Sequence, residues 1–153
     1  MLQTIKISQH IQATSSNTKS EPLITSNYAI INAAKWLKAK YGMEFNSKPL
    51  PFATRLDGTI AFHKFELVSP DNQIVAKVKT HTMNPCGNVS SAKILDTYVA
   101  CEMLKNVAAK TKLLILTDFA FYESFNNNSK GRLSRQIKIV YTADKQLAVL
   151  THS

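Results

Sequence analysis

The chain has 153 residues, 44% of them hydrophobic, with 19 Lys and Arg against 10 Asp and Glu, a net charge of +9 and a pI near 9.6. That length suits one domain with a substantial core, the apolar share excludes wholesale disorder, and no apolar run reaches the roughly 18–20 residues that span a bilayer. The cationic excess favours a polyanionic partner, nucleic acid first.

Residues 1–25 read as an N-terminal strand or arm followed by a polar linker. Ile5 and Ile7 share a face, and residues 13–21 are turn-rich. Met1–Ser8 lacks the apolar centre of a secretory signal, so the expected location is cytoplasmic, with no membrane partner. Residues 26–153 form the predicted domain. Ser26 is a suitable cap for a helix through Tyr41, with apolar residues at Tyr28, Ile30, Ile31, Ala34 and Leu37 and Gly42 as its stop. Its other side presents Lys35, Lys38 and Lys40. Residues 47–58, with Pro49, Pro51 and Gly58, read as a loop holding a short strand near Phe52–Arg55.

Residues 60–80 predict a hairpin around Pro70-Asp71-Asn72. A turn centred on Asp71 and Asn72 pairs Ser69 with Ile74, Leu67 with Ala76, and Glu66 with Lys77. Period-two alternation then places Phe65, Leu67, Ile74, Ala76 and Val78 on a core face and Glu66, Lys77 and Lys79 on the opposite face. Directly opposed side chains stand about 4.5–5.5 Å apart at Cβ, so Glu66 and Lys77 are placed to form an ion pair. After a loop over His81–Val89, Ser90 or Ser91 caps a helix to about Lys110. Its predicted apolar face is Ile94, Leu95, Tyr98, Val99, Met103, Leu104 and Val107. Residues 112–117 suit a strand covered on both faces, parallel to the second hairpin strand by a helical crossover. Asn126–Arg132 reads as a polar, basic loop, and Gln136–Tyr141 and Leu147–Leu150 as a last pair of strands. The fold class is therefore α/β, a central mixed sheet flanked by helices.

The acid in one strand, Glu66, followed by Lys77-Val78-Lys79 in the next, then a helix and a buried strand, resembles the PD-(D/E)XK nuclease superfamily over roughly residues 26–141. The resemblance implies a restriction-endonuclease-like fold, DNA as partner, Mg²⁺ as cofactor, a homodimer, and hydrolysis of phosphodiester bonds. It implies the catalytic set Glu66, Lys77 and Lys79, with Glu66 as metal ligand and Lys79 as the motif's lysine. In an active member, metal held by two acids activates water and stabilises the leaving oxygen. Here the second acid is replaced by Lys77, whose charge repels a divalent cation, so cleavage is expected to be impaired. Three accounts stand side by side. The chain is a natural inactive relative, a variant one base change from an active enzyme, or an enzyme with a relocated carboxylate such as Asp96 or Glu102. The alternative function is a non-catalytic module that binds nucleic acid or protein on a nuclease-like fold.

Further candidates are cationic. Lys64 lies in the hairpin, Lys93 at a helix start where free N–H groups also attract anions, and Lys130, Arg132 and Arg135 in the late basic stretch; all five are expected DNA contacts. Asp57 reads as a turn residue before Gly58, and His63 and His81 as polar histidines flanking the hairpin. Cys86 and Cys101 read as free thiols, with no CxxC or Cys–His cluster for zinc.

Overall fold

A computed structural model describes residues 27–143. The strand or arm expected in residues 1–25 and the strand expected at Leu147–Leu150 lie outside the described residues. In chain order the elements are α1 (27–41), β1 (Asn46–Thr54), β2 (Ile60–Val68), β3 (Ile74–Lys79), α2 (Ser91–Lys105), β4 (Thr111–Leu116), α3 (Phe119–Asn128) and β5 (Ile137–Tyr141). The five strands form one sheet in the order β1-β2-β3-β4-β5. The β1–β2 and β2–β3 pairs are antiparallel; β3–β4 and β4–β5 are parallel, each crossover made by a helix. This is the expected α/β architecture, a mixed sheet flanked by helices.

Both sheet faces are covered. On one, Ala33 and Leu37 of α1 pack with Leu67, Ile74, Ala76, Leu113 and Ile115. Ala29, Ala33 and Leu37 recur every fourth residue and are buried, giving α1 a narrow apolar stripe. Gly42, at φ +75°, ends α1 with its N–H donating to the Lys38 carbonyl at 2.8 Å. On the other face α2 and α3 bring Ala100, Cys101, Leu104, Phe121 and Phe125 against Phe65, Val68, Val75, Leu114 and Leu116. Leu113 to Leu116 are fully buried, as a strand enclosed on both sides requires.

The β2–β3 turn is held locally. Asn72 takes the left-handed conformation at φ +63°, and Asp71 Oδ1 accepts from the Ser69 hydroxyl at 2.8 Å and the Gln73 N–H at 3.1 Å. The resulting register, Leu67 opposite Ala76 and Val68 opposite Val75, is the predicted one.

Four expectations are corrected. First, β1 is a nine-residue strand, Asn46–Thr54, where a loop holding only a short strand near Phe52–Arg55 was expected. It lies at the sheet edge, where Pro49 and Pro51 are tolerated because one side of the strand needs no ladder donors. Second, α2 stops at Lys105 instead of about Lys110. Asn106 donates its side-chain amide to the Glu102 carbonyl at 3.1 Å, and the N–H groups of Lys110 and Thr111 bind the Gln73 carbonyl, which draws the chain into β4. Its apolar periodicity also misplaced Leu95 and Val99, which are 65% and 45% exposed, while Thr97, Ala100, Cys101 and Leu104 are buried. Third, part of the expected polar loop is the end of α3. Asp118 Oδ2 caps it by accepting from the Phe121 N–H at 2.9 Å, and Phe121 and Phe125 stack with centroids 6.1 Å apart. Fourth, Phe65 leaves the face assigned to it. It packs with Val68 and Val75 while Leu67 faces α1, so alternation breaks between Phe65 and Leu67, where β2 also shifts register against β1.

Lys112 of β4 is buried. Its ammonium donates to the Lys105 carbonyl at 2.7 Å and to Gln136 Oε1 at 3.2 Å, tying the end of α2 to the approach to β5, and burial lowers its pKa. Cys86 and Cys101 are free thiols, as expected; burial pushes the Cys101 thiol up to about 12 and keeps it from being reactive.

Candidate functional site

Among the described residues, β2 pairs with β3 only at Leu67–Ala76 and Val68–Val75. Beyond those pairs the strands part, and the Glu66 side chain enters the gap. Glu66 Oε1 accepts from the Val78 N–H at 3.2 Å, replacing a ladder bond, and Oε2 faces Lys77 Nζ at 3.4 Å. The expected Glu66–Lys77 ion pair is therefore present, although the two residues are not the directly opposed ladder partners that the turn predicted.

Lys77 is 5% exposed. Besides Glu66, its ammonium meets His63 Nε2 at 2.9 Å and lies 5.4 Å from the centroid of the Phe65 ring. An ammonium has only donors, so Nε2 accepts and the His63 proton sits on Nδ1. Burial first, then the Lys77 charge, lowers the His63 pKa, while Glu66 opposes. A neutral imidazole is what this contact requires.

Lys79, two residues along β3, makes a second group. Its Nζ is 2.8 Å from Asp96 Oδ2, and His81 Nε2 is 2.7 Å from the same oxygen. The His81 ring rests 5.6 Å from that of Phe121. β3 and the loop after it supply Lys79 and His81, and the second turn of α2 supplies Asp96. Burial pushes the Asp96 carboxyl up, but hydrogen bonds and charge from Lys79 and His81 outweigh it, and the net direction is below the ordinary carboxylate value of 3.8. A carboxylate with a depressed folded pKa stabilises the fold above its unfolded pKa, and that contribution fades as pH falls through the folded value. Asp96→Asn is therefore expected to lower stability at pH 7 and to flatten the acid limb below about pH 4, read by urea denaturation across a pH series. An unchanged acid limb would show that the Lys79–Asp96–His81 group is not formed in solution.

The remaining candidates are dispersed. Asp57 accepts from the Thr59 N–H at 3.0 Å and the Thr59 hydroxyl at 2.7 Å; these bonds lower its pKa and give it the expected turn role. Glu102 faces solvent beside Lys105 at 3.6 Å and does not approach Glu66. Lys93 is in the first turn of α2, its ammonium donating to the Thr82 carbonyl at 2.7 Å, while Ser90 Oγ caps the helix by accepting from Ala92 and Lys93 N–H. Lys64 is exposed on β2, and Lys130, Arg132 and Arg135 are exposed between α3 and β5. No hydrogen bond or ion pair joins these five cations to the Glu66–Lys77 pair. His63 and His81, read as polar histidines flanking the hairpin, are the partners missing from the predicted site. Asp96, one candidate for a relocated carboxylate, is bound by Lys79 and His81 instead of standing beside Glu66, and the one signal for His63 was its i, i+2 spacing from Phe65.

The residues present do not fit Mg²⁺. A hard dication takes about six oxygen ligands, usually with more than one carboxylate. Here one Glu66 oxygen already faces an ammonium, and the described residues contain no group of three or more His, Cys, Asp or Glu placed to hold a metal. Glu66 as metal ligand is thus unsupported as the chain stands. No helix among the described residues is long and apolar enough to cross a membrane. Comparison of the chain with protein-family models, curated proteins and solved structures gave no match in any of the three.

Proposed function

We propose that this chain is a nucleic-acid-binding protein on the strand plan of the PD-(D/E)XK nucleases, in which the Lys77 ammonium stands where a metal-binding acid would and phosphodiester cleavage is suppressed. The observation that carries the reading is the Glu66–Lys77 contact of 3.4 Å in the gap between β2 and β3, with Lys79 two residues further on. Supporting it is the order of parts: acid strand β2, Lys-Val-Lys strand β3, helix α2, then β4 parallel to β3. The net charge of +9 suits a phosphate backbone.

In this reading Lys77 is a fixed internal charge and Lys79 a partly exposed one, held ready by Asp96 and able to exchange that carboxylate for a phosphate oxygen. Binding needs no metal, because the cations belong to the chain. The test is fluorescence anisotropy of labelled DNA over a salt series. Log affinity is expected to fall linearly with log salt, and Lys79→Gln or Lys93→Gln to reduce the slope by about one each. Affinity that does not respond to salt would overturn the reading and favour a partner without phosphates.

A further inference from the structure

The β1–β2 hairpin has one face turned to the core and one turned to solvent. Leu50 and Phe65 are buried on the first, with His63 between them in the alternation. The second should be polar by the rule of alternation, yet it is formed by Ile60, Phe62 and Lys64 of β2, with Pro51 opposite Phe62 and Pro49 opposite Lys64. Ile60 and Phe62 are 53% and 59% exposed, and neither belongs to either core cluster. Charge borders this apolar strip at both ends. Lys64 is exposed at the inner end. Arg55 lies at the turn, where it donates to the Thr59 hydroxyl and the Ile60 carbonyl. The one acid of that turn, Asp57, is engaged by Thr59.

We propose that this face is a stacking platform for single-stranded nucleic acid, with a base on the Phe62 ring and the adjoining phosphates on Lys64 and Arg55; the inference rests on the nucleic-acid reading above and names the strandedness of its ligand. Residues two apart on a strand are about 7 Å apart along its axis, which leaves room for a base on the ring and its phosphate at the ammonium. Duplex bases cover one another's faces, so an exposed ring selects unpaired ones. The charge pattern decides between nucleic acid and a second copy of the chain. A symmetric pairing of this face would bring like cations together on a molecule of net charge +9, whereas a polyanion is attracted by the same residues.

The experiment compares a labelled oligothymidylate with a labelled duplex of equal length on the wild type, Phe62→Ala, Phe62→Trp and Lys64→Gln. Phe62→Ala is expected to weaken single-strand binding about tenfold and duplex binding less than about twofold. Phe62→Trp is expected to retain single-strand affinity and to show indole fluorescence quenched by the oligonucleotide. Lys64→Gln is expected to reduce the salt slope by about one. If the wild type binds neither probe at low salt, the functional reading fails, and this inference with it. If the wild type binds and Phe62→Ala binds oligothymidylate as tightly, only the platform fails. Two further results would overturn it. One is a dimer in light scattering that Phe62→Ala dissociates, which assigns the face to a second copy. The other is a melting temperature lowered by several degrees in Phe62→Ala, which assigns it to packing within the chain.

Discussion

Lys77→Glu is expected to unfold at a markedly lower temperature in EDTA and to recover much of the difference in Mg²⁺. The substitution sets a second carboxylate against Glu66 at a position only 5% exposed, and removes the donor to His63 and the cation from the Phe65 ring. Breaking a buried pair from one side costs about 3–5 kcal/mol, because the remaining charge loses its partner. At about 2–4 °C per kcal/mol that is a fall of roughly 10 °C. A divalent cation that bridges the two carboxylates binds only the folded state and returns stability by mass action. Lys77→Gln is the control: it loses the ammonium without adding a ligand, so it should be destabilised but indifferent to Mg²⁺. Melting curves and calorimetric Mg²⁺ titration of the three proteins decide the matter. If Lys77→Glu gains no Mg²⁺ affinity, position 77 is not the place of a metal-binding acid. Plasmid cleavage by the same proteins separates the remaining accounts. Cleavage by the Glu variant alone marks a nuclease disabled at one ligand. Cleavage by both it and the wild type marks a carboxylate supplied from elsewhere. Cleavage by neither, with DNA bound by both, marks a binding module.

Phe65→Ala is expected to cost about 3–5 kcal/mol in urea unfolding, the range for truncating a large buried aromatic. Phe65 is fully buried; its ring meets His63 edge-on at 4.8 Å and underlies the Lys77 ammonium. The substitution therefore opens a cavity and removes one of the surfaces that position Lys77. Phe65→Leu retains most of the burial and should cost less than Phe65→Ala. Combined with Lys77→Met in a double-mutant cycle, Phe65→Leu should show a coupling of about 0.5–2 kcal/mol, the contribution of the ring to the ammonium. A cost below about 1 kcal/mol for Phe65→Ala would show that Phe65 does not occupy the core side of β2.

Local signals were legible where a few neighbouring residues set the conformation. Pro70-Asp71-Asn72 specified the turn, and with it the Leu67–Ala76 register that brings Glu66 beside Lys77, because Asp71 makes its bonds within the turn and Asn72 takes the left-handed conformation there. Ser90 and Gly42 marked helix ends for the same reason. The candidate site was half legible. The alternation put Glu66, Lys77 and Lys79 together, but it also placed Phe65 on the wrong face, since a break in alternation leaves no mark in the pattern of residue types. For α3, a run of aromatic residues followed by three asparagines, poor helix formers, hid a helix stabilised by burial of Phe121 and Phe125.

By itself the sequence determined the fold class, the central hairpin, the buried character of β4 and the cationic surface. Each depends on residues close in the chain or on composition. The tertiary structure decided the rest. It made Asn46–Thr54 a strand, because an edge position removes the penalty of two prolines. It gave Lys77 its histidine and its aromatic ring, and it gave Lys79 the Asp96 carboxylate from a helix 17 residues further on. The Lys79–Asp96 contact forms only when the crossover between β3 and β4 folds α2 back on the sheet, and the Lys77 contacts only when β2 and β3 lie side by side. Their energy comes from burial and charge between distant segments, to which propensity and periodicity are blind.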